Sequence, residues 1–268
     1  MIVALDEGYL LDLGRAPEIA AACTAAYGPS TGPMCVSLTE LSGVLSAYQW
    51  QLRGVEIPAL GEVIHPRYGV FSPIRGEYVD LVAAAPLAST GTAFDLGTGT
   101  GVLSAVLLRR GFDHVVATDI NPRAIACAQE NLSRLCPDSD ARVIETDLFP
   151  EGRADLIVCN PPWLPAQPNS ALEAGIYDPA SDVLHRVLAG LGEHLNPEGE
   201  GWLVLSNLAE NLGLRAPGHL LGRIEAAGLR VIDRLDTAPR HPRARDTDDE
   251  LHAARSAEVT ALWRLGIA

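Results

Sequence analysis

The chain predicts a doubly wound α/β fold, and three observations carry that prediction. Seven short apolar runs recur after Phe71 in a chain of 268 residues. Segments with apolar residues at helical spacing lie between them. A glycine-rich turn joins the first run to the first of these helices. Strands alternating with helices of this length form parallel β-α-β units, because a parallel neighbour needs a crossover long enough to hold a helix.

The runs are AFDL (93–96), HVVAT (114–118), RVIET (142–146), DLIVC (155–159), GWLVL (201–205), LRVID (229–233) and EVTALWRL (258–265). The intervening pattern predicts helices over Gly101 to Arg110, Pro122 to Leu135 and Asp182 to Leu195. Asn121 suits the cap of the second, with Pro122 at its first position, where a missing N–H costs nothing. The third gathers Val183, Leu184, Val187, Leu188, Leu191 and Leu195 on one face.

Before Phe71 the pattern differs. Glu18 to Tyr27 reads as an alanine-rich helix closed by Gly28-Pro29. Ser37 opens a capping box with Glu40, and Leu38, Leu41, Leu45, Tyr48 and Leu52 follow at steps of three and four. Gly54 and Pro58 end that helix. The predicted division is a mainly helical appendage over residues 1–70 and a larger domain over 71–268.

A formal net charge of −14, with no lysine, argues against an extended nucleic-acid footprint, since phosphate binding needs a basic face. Cys23, Cys35, Cys127, Cys136 and Cys159 are odd in number and contain no C-x-x-C pair. They predict neither a disulfide framework nor a zinc site, and the reducing cytoplasm is the expected compartment. The start MIVALDEGY has no basic and apolar leader pattern. The longest charge-free stretch, Ile19 to Thr39, is broken by Gly28, Pro29, Gly32 and Pro33, so no membrane helix is expected. The seven histidines show no metal spacing, and no metal is expected.

Gly97-Thr98-Gly99-Thr100-Gly101 follows the first strand. Glycines there permit a sharp turn and close approach of a ligand. A dinucleotide loop would place glycine at 102, which is Val102. Asp95, just before the glycines, would oppose a pyrophosphate but tolerates an ammonium group. The loop therefore favours S-adenosylmethionine (SAM) over a nicotinamide cofactor. Asp119 ends the second strand, twenty residues beyond Gly99, where a carboxylate accepts both hydroxyls of a ribose. Asp147, after the third strand, is placed to accept from an adenine amino group, with Leu148 or Phe149 against the ring. A plain turn residue explains Asp147 nearly as well.

The fourth strand runs into Asn160-Pro161-Pro162-Trp163. Prolines fix φ and lack N–H donors, so nearby carbonyls are free to face a site. The Asn160 oxygen and the Pro161 carbonyl make two acceptors in a rigid frame. They suit a planar NH2 group, aiming its nitrogen at a methyl group. Trp163 offers a flat face for a base or an amide. The alternative is a proline turn with Trp163 in the core.

FDLGTGTG, ATDINPRAIACAQEN, ETDLF and CNPPW occur in the order and spacing of class I SAM methyltransferases with an N-P-P-[YFW] motif. The chain most resembles the group holding release-factor glutamine N5 methyltransferases, small-domain rRNA guanine N2 methyltransferases and N6-adenine methyltransferases. The resemblance spans roughly Gly69 to Leu205. It implies a Rossmann-like sheet of seven strands with the last antiparallel. It implies that the glycine loop holds the methionine part of SAM, with Asp119 at the ribose and Asp147-Leu148 at the adenine, and Ile120 counts among the cofactor-binding residues. It assigns Asn160 to Trp163 to the acceptor, and residues 70–82 to closing over SAM. Release-factor enzymes typically have Tyr where this chain has Trp163.

The expected function is N-methylation of a planar nitrogen, foremost a protein glutamine amide. The second expectation is N-methylation of guanine N2 or adenine N6 in RNA or DNA. A non-catalytic SAM-binding module is the alternative of another class. The implied partner is a translation factor, a ribosomal protein or a nucleic acid, and no membrane. Two further segments are open: Tyr177-Asp178-Pro179 reads as lid or turn, and residues 239–257 as a substrate loop or a solvated one.

Overall fold

The computed structural model describes residues 1–12, 18–167, 175–240 and 251–268. The N-terminal region contains β1 (Ile2–Leu5), α1 (Ala20–Tyr27), β2 (Met34–Ser37), α2 (Leu38–Arg53), β3 (Val55–Ile57) and β4 (Glu62–Ile64). After α3 (Glu77–Ala84), strands and helices alternate: β5 (Thr92–Leu96), α4 (Val102–Arg109), β6 (His114–Asp119), α5 (Pro122–Leu135) and β7 (Asp140–Glu145). Then come β8 (Ala154–Cys159), α6 (Asp182–His194), β9 (Leu195–Ser206), α7 (Leu208–Asn211) and α8 (His219–Ala226). The chain closes with β10 (Leu229–Thr237), α9 (His252–Ser256) and β11 (Thr260–Ile267).

Seven strands form one sheet in the order β10-β11-β9-β8-β5-β6-β7. The pairs β5–β6, β5–β8, β6–β7 and β8–β9 are parallel, while β11 runs antiparallel to both β9 and β10. This is the predicted Rossmann-like sheet with its last strand reversed. The order turns at β5 and β8, so the crevice beyond their carboxyl ends is where such a sheet binds ligands.

Alternation along the strands divides the core between the two faces of the sheet. Ala93, Leu156, Val158, Trp202, Val204 and Leu262 pack on one side with α3, α4 and α5. Phe94, Ile157, Cys159, Leu203, Leu205 and Leu265 pack on the other with α6 and α8. Successive side chains on a strand point to opposite faces, and strands covered on both faces read as continuous apolar runs. At the β9–β11 seam, Arg264 donates to both carboxylate oxygens of the buried Glu200, at 2.7 and 2.9 Å. Trp202 Nε1 donates to the same Glu200 at 2.7 Å.

Both N-terminal helices are present, accompanied by two antiparallel strand pairs that the helical pattern did not announce. Leu5, Tyr9, Cys23, Val36, Leu41 and Val44 form a separate core there, whereas Ile57 and Ile64 of the β3–β4 hairpin join the main one. The buried face of α2 is centred on Leu41 and Val44, and Leu38 and Leu52 at the ends of the expected stripe are exposed. Ser37 caps α2, its oxygen accepting from Glu40 N at 3.0 Å. The other half of the capping box is absent, because the Glu40 carboxylate accepts instead from the Tyr27 and Tyr68 hydroxyls.

No helix among the described residues is long and apolar enough to cross a membrane. All five cysteines are free. Of the 239–257 segment, residues 241–250 lie outside the described residues, including Arg243, Arg245, Asp246, Asp248, Asp249 and Glu250. Arg240 donates to Asp80 at 2.6 Å.

Candidate active site

A cleft opens at the carboxyl ends of β5, β6 and β8. Its walls are Gly69 to Phe71, Asp95 to Thr100, Asp119 to Asn121, Asp147-Leu148 and Cys159 to Pro162, with Tyr78, Val102, Leu103, Ala124, Gly175 and Val183. Eleven of the thirteen residues singled out from the sequence therefore share one cavity. Gly101 and Trp163 lie outside its lining.

Burial and hydrogen bonding fix the glycine loop. Asp95 is buried, and its Oδ2 accepts from Thr98 Oγ1 at 2.7 Å, Ser104 N at 3.0 Å and Ser104 Oγ at 2.6 Å. Burial pushes its carboxyl above the ordinary value of 3.8, and these hydrogen bonds and the nearby Asp119 modify that rise in opposite senses. Gly97 has φ of +68° with open space where a side chain would stand. Gly101 has φ of +80°, and a Cβ there would lie 3.1 Å from Ala128 Cα. Gly101 thus permits the close approach of α5 to the loop.

Asp119 closes the loop from the neighbouring strand. Its Oδ2 accepts from Gly99 N at 3.0 Å and its Oδ1 from Asn121 N at 2.9 Å. Burial raises its carboxyl as well, while those N–H donors favour the charged form. Each carboxylate oxygen has a second lone pair, so a diol donating to both remains geometrically compatible. Ile120 beside it is 69% exposed, an apolar surface on the cleft wall.

At the third strand the sequence reading is refined. Leu148 lines the cleft with a left-handed φ of +66°, and its carbonyl accepts from Thr118 Oγ1 at 2.6 Å. Phe149 faces away, stacked on His194 with ring centroids 4.3 Å apart. Asp147 is half exposed and paired with Arg186 at 2.6 Å.

The Asn160 side chain meets its own motif. Its Oδ1 accepts from Trp163 Nε1 at 2.9 Å. Among the described residues, nothing donates to the Pro161 carbonyl. Trp163 is partly buried against both core clusters, and the Arg75 guanidinium carbon stands 5.9 Å from its ring centroid. Asp178, read as lid or turn, is buried and caps α6, accepting from Val183 N and Leu184 N at 3.0 and 3.1 Å.

Several supporting residues were invisible to motif reading. Asn131 on α5 donates to the carbonyls of Thr100 and His65, both at 3.1 Å, and accepts from His65 N at 3.0 Å. It ties the glycine loop to the segment before the cleft. Asn121, read only as a helix cap, also donates to Gly69 O at 3.1 Å and lines the cleft. A buried amide beside a glycine loop is a usable signal, but only once α5 is known to pack there.

The polar lining of the cleft comprises three carboxylates, of Asp95, Asp119 and Asp147, and backbone carbonyls, beside an apolar shelf. It suits a ligand carrying a diol, an ammonium group and a flat base. The methyltransferase small domain model matches residues 64–214, which is more than half of the chain. The chain is 34% identical over 176 residues to the release factor glutamine methyltransferase of Cereibacter sphaeroides, spanning 60% of each protein. It is 28% identical over 199 residues to the tRNA1(Val) (adenine(37)-N6)-methyltransferase of Shewanella loihica, covering 69% of this chain and 79% of that one. The crystal structure of ribosomal protein L11 methylase from Lactobacillus delbrueckii subsp. bulgaricus shares the fold, with a TM-score of 0.53 at 19% identity over 78% of this chain and 87% of that one. The matched family uses SAM, whose bound form supplies a methyl group on a sulfonium. Asp95, Gly97, Thr98, Gly99, Asp119, Ile120, Asp147 and Leu148 are the residues of this cleft that would hold it. By fold, cleft and family match, the chain belongs to the methyltransferase small domain family.

Proposed function

We propose that the protein is a SAM-dependent N-methyltransferase whose acceptor is a planar nitrogen, foremost a glutamine side-chain amide of a protein. One observation carries the reading: Asn160 and Pro161 stand on the wall of the same cleft as the glycine loop and Asp119. Two carbonyl oxygens there accept the two hydrogens of an NH2 group and hold its nitrogen toward the cofactor side. Their hydrogen bonds strengthen as positive charge develops on nitrogen, so they act in the transition state. The nitrogen gains a methyl group and releases a proton to water. No strong base is needed beforehand, because alkylation itself makes that proton acidic.

The release factor relative and the charge of −14 support a protein acceptor. The tRNA adenine relative, matched over a larger share of both chains, supports a nucleobase as the second reading. We also propose that residues 1–70 form an appendage to the catalytic unit 71–268, and that the protein works in the cytoplasm with a translation factor, ribosomal protein or RNA as partner.

The test is incubation of purified enzyme and tritiated SAM with extract from cells lacking the gene. Label in a protease-sensitive, nuclease-resistant fraction is expected. Label in nucleic acid moves the nucleobase reading to first place. Removing one preorganised polar group of this kind costs ~10²–10³ in rate, so Asn160→Ala should lose nearly all transfer and keep cofactor binding. Wild-type transfer by that variant would end the mechanistic proposal.

A further inference from the structure

Resting on the reading of Asn160 as a group that holds the acceptor nitrogen, we propose that Trp163 is a positioning residue: its indole N–H fixes the Asn160 amide with the oxygen available to the acceptor. The indole nitrogen is a donor only. At 2.9 Å from Asn160 Oδ1 it selects one of the two amide orientations, since the flipped amide would set NH2 against N–H. The terminal torsion of an Asn side chain is soft and roughly two-fold, so a partner must decide it. With the oxygen so placed, one of its lone pairs goes to Trp163 and one remains for an N–H of the acceptor. The flipped amide would confront an acceptor NH2 with another NH2.

The indole can do this because it is itself held. Its ring packs against both sides of the core. The Trp163 carbonyl accepts from Arg215 Nη2 at 3.2 Å. Arg75 stands over the ring, and its Nη2 donates to the buried Glu258 at 2.8 Å. Glu258 in turn accepts from Ser206 Oγ at 2.7 Å, so the brace reaches the end of β9. Trp163 is not among the residues that line the cleft, and its indole N–H is directed at Asn160. Phenylalanine has no donor to put at the position of the indole N–H.

The test compares wild type, Trp163→Phe, Trp163→His and Asn160→Ala. The readout is single-turnover transfer from saturating tritiated SAM into serial dilutions of extract from cells lacking the gene. Trp163→Phe should lower the rate at saturating extract roughly three- to tenfold, the scale of one neutral hydrogen bond. The half-saturating extract concentration and S-adenosylhomocysteine affinity should stay within about twofold of wild type. Trp163→His, whose imidazole N–H donates, should recover part of the rate. In 1H–15N spectra the Trp163 indole signal, assigned by its loss in Trp163→Phe, should shift upfield in Asn160→Ala. Where Trp163→Phe does not fold, loss of the same signal in Trp163→His assigns it, and the measurement stands. A Trp163→Phe rate at or above wild type, with Asn160→Ala inactive, overturns the positioning role and makes the bond an obstacle the acceptor must displace. An indole signal unmoved in Asn160→Ala overturns it too. Full activity of Asn160→Ala removes the underlying reading, and the proposal with it.

Discussion

Asp119→Asn is the sharpest test of the cofactor site, because the structure shows why an isosteric amide fails there. Both carboxylate oxygens are used, Oδ2 by Gly99 N–H and Oδ1 by Asn121 N–H. An amide keeps one oxygen, so either orientation sets its NH2 against one backbone donor. A part-buried donor left without an acceptor costs about 1–3 kcal/mol. The misfit falls on the glycine loop or on the start of α5, both of which line the cleft. One acceptor for a ligand hydroxyl is lost as well. Affinity for S-adenosylhomocysteine should therefore drop by about 1–3 kcal/mol, roughly 5- to 150-fold in Kd. Ligand-free stability should fall less. Burial already disfavours the Asp119 charge, and neutralising it offsets part of the lost hydrogen bond. Calorimetric titration with S-adenosylhomocysteine, paired with a thermal melt of free protein, separates the two effects. A Kd within twofold of wild type in a variant that melts normally would refute the assignment. Asp147→Asn is the matched control: this carboxylate is half exposed and bound to Arg186, so its effect should be smaller.

Acidification should weaken S-adenosylhomocysteine binding. Asp95 and Asp119 both protonate above the ordinary 3.8, and a diol or ammonium group binds the ionised form. Affinity measured by calorimetry should fall as pH drops through their raised values, and more shallowly in Asp119→Asn. For the ligand-free fold the sign reverses. The folded chain holds protons that the unfolded chain releases, so the contribution of these groups is greatest in acid and is lost as pH rises through the folded value. Urea melts should show Asp119→Asn gaining on wild type as pH rises, and a difference that ignores pH would contradict this. Two glycines in one loop should separate by mechanism. Gly101→Ala combines a φ of +80° with a Cβ 3.1 Å from Ala128 Cα, and should cost about 2–4 kcal/mol in urea. Gly97→Ala meets no atom within 4 Å, so it should cost about 1 kcal/mol of backbone strain and act chiefly on cofactor affinity.

The parts of this protein that the sequence discloses are those in which one residue type answers one backbone demand. The central strands β5, β8 and β9 are legible because both faces are covered and their runs are largely apolar, whereas the edge strands β7 and β10 are exposed or half-buried along most of their length and carry charged residues. The glycine loop is legible because Gly97 and Gly101 take left-handed conformations that other residues resist. The site is less legible where a side chain has several possible partners. Glu40 reads as half of a capping box, yet two phenols that lie close only after folding take its carboxylate. Phe149 and Leu148 are equivalent shelves for a base until β7 and α6 are packed, when His194 claims Phe149. Trp163 is the clearest case. Its place in the motif marks it as a flat contact surface, but its indole nitrogen is what reaches Asn160, and its orientation depends on Arg75, a residue 88 positions earlier in the chain. The acid anchoring Arg75 is Glu258, from the far end of the chain. Spacing along one segment cannot report a contact assembled from three. In the proposed mechanism the motif holds the acceptor nitrogen, while the indole that orients its amide is itself braced by residues that no local pattern connects.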